Sequence, residues 1–136
     1  TTELEQFRKI VEEPGDALKK INTYYAELSA AFGYDIYPVT DLRRNVNCLR
    51  GIGYYLLGKN RAKEAVDIFT YWTALSPNDP NGYDSLADAY ENLNKNKLAL
   101  EAHINAVNIA KRYSDARLAA FQKNLADFKQ RMETKS

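Results

Sequence analysis

An all-α fold of about seven helices is the class predicted by this sequence of 136 residues. Three observations predict it. Apolar residues recur every three or four positions through most of the chain, the period of a helix buried on one face. No segment alternates apolar and polar side chains as a half-buried strand would. Chain breakers are few, 6 glycines and 4 prolines, and most fall between the periodic runs.

The elements follow in order. ELEQFRKIVE, residues 3–12, sets Leu4, Phe7, Ile10 and Val11 on one stripe before Pro14 and Gly15 interrupt. From about 16 to 32, Leu18, Ile21, Tyr25, Leu28 and Phe32 form the buried face of a second helix, and Gly33 suits its left-handed cap. GYDIYPVT reads as a loop, with Thr40 placed to cap a third helix over about 41–58. Leu42, Val46, Leu49, Ile52, Gly53 and Leu56 form the buried face of that helix, and Gly58 ends it. A fourth helix, about 61–75, turns Ala62, Ala65, Val66, Phe69 and Trp72 inward. SPNDPNG breaks the chain, and helices follow over about 81–93, 95–112 and 115–132. The last carries Leu118, Phe121, Leu125, Phe128 and Met132.

Composition removes several function classes. Nineteen basic and 18 acidic side chains leave a net charge of +1, without the basic footprint of a nucleic-acid binder. No stretch is basic and amphipathic enough for a membrane surface, and no apolar run approaches the roughly 20 residues of a spanning helix. The lone cysteine, Cys48, forms no internal disulfide and has no zinc-ligand partners, so it is expected to be a small buried residue. The chain opens Thr-Thr with no visible signal peptide, which suggests a fragment or processed product. A soluble protein is expected, with the compartment, bacterial cytoplasm or periplasm, set by any parent protein.

GYYLLGKN, residues 53–60, has the Gly-x4-Gly-Lys spacing of a nucleotide phosphate loop. Asn60 stands where a magnesium-binding hydroxyl belongs, and Tyr54, Tyr55, Leu56 and Leu57 are too bulky to wrap an anion. The stretch also falls at a helix end, where Lys59 meets the negative pole of the dipole.

A 34-residue shift aligns Asn47 with Asn81, Ile52 with Leu86, Leu56 with Tyr90, Lys63 with Lys97, Ala65 with Ala99, Phe69 with His103 and Trp72 with Ala106. That period, with the order W-x2-L-G-x2-Y, A-x3-F, P, is that of the tetratricopeptide repeat. The first unit reads Leu49-x2-Ile52-Gly53-x2-Leu56, Ala65-x3-Phe69, Pro77, and the second Tyr83-x2-Leu86-Ala87-x2-Tyr90, Ala99-x3-His103, with Lys111 for Pro. Gly53 and Ala87 are small enough for close helix approach, and Trp72 is expected in the core between the units. The predicted organisation is a single helical domain over 1–136. An N-terminal hairpin (1–40) precedes repeat one (46–79), repeat two (80–113) and a capping helix (114–136), in a tetratricopeptide-like stack of antiparallel helix pairs.

LSAAFGYDIYP, IGYYLLGKNRAKEAVDIF and SPNDPNGYDSLADAYENLNKNKLALEAHINAV resemble the helical tail that follows the catalytic domain in a family of bacterial esterases of the α/β-hydrolase type. A related tail, with a YP-N-S-x-N-x-YDSL-x-EAY stretch, follows some β-lactamase-like serine hydrolase domains. The resemblance spans roughly residues 24–110, with GYDSLADAY its most specific part. Asp79 replaces the usual Ser of PNS-x-N, and VNCLRGIGY stands for IN-x-LGY, which leaves the branch of the family open. The resemblance implies a non-catalytic accessory domain. Its partners would be its own catalytic domain, another protein or a peptide, or a second copy in a homodimer.

Catalytic and metal-binding patterns are missing. No G-x-S-x-G elbow occurs, Ser85 lies within a helix, and the only histidine, His103, takes the Phe position of the repeat and is expected as a packed ring. Asp84 and Asp88 share a helix face, but two carboxylates are too few for a hard metal and read as a solvated acidic face. PNDPNG lacks EF-hand spacing. No cofactor is expected. The remaining candidate surface is the concave face of the stack, with Asn47, Arg50, Tyr54 and Leu57 from one helix and Asn81, Asp84, Ser85 and Asp88 from the next. The alternative to an accessory tail is a free-standing adaptor that binds a short peptide there.

Overall fold

A computed structural model describes residues 3–38 and 47–135. Seven helices and no strand occur among them: α1 (Glu3–Ile10), α2 (Ala17–Phe32), α3 (Cys48–Gly58), α4 (Ala62–Leu75), α5 (Pro80–Asn92), α6 (Asn96–Arg112) and α7 (Leu118–Lys135). Each of α3 to α7 packs against its neighbour in sequence, which makes an all-helical stack. α1 lies against α2 and α3, and α2 against α4. Among the described residues no helix is long and apolar enough to cross a membrane.

The helix ends explain the punctuation of the sequence. α3, α5 and α6 finish alike, because Asn60, Asn94 and Ser114 take left-handed φ values of 61°, 58° and 51°. The next N–H then reaches back five residues, from Arg61 to Leu56 O, Lys95 to Tyr90 O and Asp115 to Ala110 O, at 2.9–3.0 Å. These bonds satisfy carbonyls that a helix end would otherwise orphan. Gly58 ends α3 as expected, but the left-handed residue is Asn60. Asn60 and Asn94 lie 34 residues apart, the period read from the sequence. Gly33 caps α2 with φ 76°.

The third helix needs correction. Its expected start, with Thr40, Leu42 and Val46, lies outside the described residues. Asn47, expected within it, instead has extended φ of −141° and caps Cys48–Gly58, its side chain accepting from the Arg50 N–H. Asparagine favours this position because its carbonyl satisfies a free N–H of the first turn. Asp79 caps α5 the same way, accepting from the Asn81 N–H at 3.0 Å, with Pro80 in the first turn.

The main core runs from Phe7 and Val11 through Ile21, Leu49, Ile52 and Leu56 to Ile68, Phe69, Trp72 and Ala89. Trp72 lies between α4 and α5, fully buried, against Gly82 and 6.2 Å from the Phe69 ring. Gly53 faces the edge of the Phe69 ring. A second cluster, Ala106, Val107, Ala110 and Phe121, lies under α7. Phe32, expected on the buried stripe of α2, is instead exposed.

One side chain pins α2 across 47 residues of sequence. Asp16 precedes α2 in a left-handed conformation and makes no capping bond. Glu64 of α4 caps it instead, its Oε1 accepting from the N–H groups of Gly15 and Ala17 at 3.1 Å each. Arg61 holds that carboxylate from Nε at 2.6 Å and also donates to Val11 O at 2.7 Å. These bonds, led by the Arg61 pair, hold the Glu64 carboxyl below its ordinary range. A carboxyl with a depressed folded pKa stabilises the fold above its unfolded value, about 4.3, and the stabilisation is lost as pH falls through the folded value. Glu64→Ala is expected to cost about 1–3 kcal/mol at pH 7, because it strands charged and backbone donors. That difference from the parent should shrink below about pH 4, as read by urea unfolding across pH.

Candidate functional site

The structure brings part of the predicted concave set together. Tyr54 of α3 donates to Asp88 Oδ2 at 2.7 Å and lies 3.1 Å from Ser85 Oγ, both on α5. The Arg50 guanidinium stands over the Tyr54 ring, 5.1 Å from its centroid. Asp84 Oδ1 and Oδ2 accept from Asn124 of α7 at 3.2 and 3.1 Å, and Asp84 Oδ1 lies 3.5 Å from His103 Nδ1 of α6. Glu91 of α5 takes a two-pronged bond from Arg131 of α7, 2.7 Å in each arm.

Burial sets the electrostatics. It pushes the Tyr54 hydroxyl above the usual phenol range, and the Asp88 charge adds to this. Burial likewise pushes the Asp88 carboxyl up, against the stabilising bond from Tyr54. His103 is 2% exposed and rests on the Phe128 ring, centroids 5.1 Å apart, and neither ring nitrogen makes a hydrogen bond. Asp84 and Asp88 are therefore not the solvated face expected from sequence. They are parts of a polar seam that hydrogen-bonds α5 to α3 and α7, with His103 of α6 beside it. No group of three metal-ligating side chains able to hold an ion occurs among the described residues.

Other members of the predicted set do different work. Asn47 caps α3, and the backbone N–H of Asn81 is taken up by the Asp79 cap. Leu57 packs on the edge of the main core. Sequence reading missed Asn124, Glu91 and Arg131. Asp84–Asn124 and Glu91–Arg131 share an offset of 40 residues, the register of two parallel helices one hairpin apart. That constant offset was the available signal.

A second surface lies on the outer side. Phe32, Tyr34 and Tyr37 are 61%, 64% and 58% exposed, with the Phe32 and Tyr34 rings 6.3 Å apart. Tyr37 also lines an open hollow of about 370 Å³ between α2 and α4, whose walls include Tyr25, Ile36 and Tyr71. The Ser29 hydroxyl fixes the approach of this loop by accepting from the Ile36 N–H at 2.8 Å. A shallow, open depression of about 630 Å³ continues along α2, sharing Asn22 and Ala26 with the first.

No protein-family model, curated protein or solved structure matches the chain.

Proposed function

We propose that this chain is a non-catalytic helical docking domain, tetratricopeptide-like in its two repeated units. In this reading it is the C-terminal accessory part of a bacterial esterase of the α/β-hydrolase type. It packs against that catalytic domain, a second copy or another protein through the surface at the end of α2. The single observation that carries the docking role is the exposure of Phe32, Tyr34 and Tyr37 within six residues. Clustered exposed aromatics mark interaction sites, since their apolar area drives association and tyrosine hydroxyls keep the surface wettable.

The repeat reading draws support from the left-handed Asn60 and Asn94, 34 residues apart, and from Gly53 against Phe69 at the small-residue position. The non-catalytic reading draws support from the seam, where the Ser85 hydroxyl meets Tyr54 while His103 meets Asp84. A peptide adaptor using the concave face has less support, because Tyr54 is already bonded to Ser85 and Asp88, and Asp84 to Asn124 of α7.

A photo-crosslinking benzoylphenylalanine at position 34, placed in the full-length protein in its own cells, tests the reading. A discrete crosslink from this position, with none from position 122 on the exposed side of α7, is the expected result. Equal labelling from both positions, or none from either, would refute the docking surface.

A further inference from the structure

The outer trough has a chemistry of its own. Its α2 wall uses Leu18, Asn22, Ala26 and Ser29, one face of the helix over roughly 16 Å at 1.5 Å per residue. That length fits about five extended residues or three helical turns. One end is acidic, where Asp16 and Asp67 flank a single ammonium, Lys19; Asp35 lies at the other end. Asp16, Asp35 and Asp67 form no ion pair among the described residues. Asp16 is also released from capping duty, because Glu64 caps α2 in its place. The other end is aromatic, with Tyr37 and Tyr71 as walls.

We propose that this trough receives a short segment of the docking partner that carries a lysine or arginine at the Asp16–Asp67 end and an apolar side chain at the Tyr37–Tyr71 end. The inference rests on the docking role argued above and names the partner's chemistry. Charge complementarity selects the occupant: a cation between Asp16 and Asp67 relieves the repulsion of two unpaired carboxylates, whereas an acidic segment would add to it. Burial pushes the Asp67 carboxyl up, and the neighbouring Glu64 and Asp16 charges add to that push. The aromatic end adds contact area at small entropic cost, since a tyrosine has few rotatable bonds.

The test places the benzoylphenylalanine crosslinker at exposed Thr23 in the full-length protein in its cells and sequences the captured segment. The expected segment carries lysine or arginine beside apolar residues. Asp16→Asn with Asp67→Asn should lower the Thr23 yield at least threefold, while crosslinking from position 34 persists. A captured segment without a basic residue, or a yield unchanged by the double substitution, overturns the proposal. Labelling from position 34 with none from Thr23 also overturns it and leaves the docking role standing. Failure at both positions removes both.

Discussion

Trp72→Ala is expected to lower the unfolding free energy by about 3–5 kcal/mol, a large share of the roughly 5–15 kcal/mol that a domain holds. The residue is fully buried where α4 meets α5, so its removal empties the junction between these helices. Relaxation is restricted on both sides. Phe69 is itself fully buried, and Gly82 offers no side chain to fill the space. Trp72→Phe should cost less than half as much, because it keeps an aromatic ring and removes an indole N–H that has no hydrogen-bond partner. Urea unfolding followed by circular dichroism measures all three proteins. Tryptophan fluorescence cannot serve for the variants, since Trp72 is the sole tryptophan. A loss under about 1 kcal/mol for the alanine variant would mean that α4 and α5 do not depend on this packing.

Gly53→Ala should also destabilise, by about 1–3 kcal/mol or more, although alanine favours a helix interior by about 1 kcal/mol. The added methyl would overlap the edge of the Phe69 ring. That ring is fully buried, 5.2 Å from Tyr54 and 6.2 Å from Trp72 between centroids, so it has nowhere to swing. Gly58→Ala is the control, because nothing lies within 4 Å of its added Cβ. It should be neutral or slightly stabilising. Phe69→Leu in the Gly53→Ala background should recover part of the loss, as neighbours that share one space are non-additive. Equal effects at both glycines would show that backbone freedom, not contact, sets the choice of residue.

Much of the fold was legible because helices announce themselves locally. Phe7, Ile21, Leu56, Phe69 and Phe128 all lie on stripes of period 3.6 and all are buried. Gly53 and Trp72 were legible because the 34-residue offset gave each a place between helices. What failed were positions where the same residue type serves two roles. Asn47 suits either a helix face or a cap, and only the chain direction around it decides. Phe32 lies in phase with its stripe, yet α2 ends there and the side chain stays exposed. The concave set was found as helix faces, but its state was not. Whether Asp88 is solvated depends on Tyr54, 34 residues away, and Asp84 depends on Asn124, 40 away. The Glu64 clamp and the trough are likewise set by how α2 meets α4, which no local pattern encodes.

The central claim is that the outer surface at the end of α2, and not the concave seam, is the face this domain uses. Amide hydrogen exchange compares the two faces most directly, with the chain measured alone and in the complexes recovered from its cells. Slowed exchange over residues 29–38, with amides of α5 and α7 unchanged, is the predicted result. Slowed exchange around Tyr54, Asp84 and Asp88 with residues 29–38 unaffected would contradict it and return the function to the concave face.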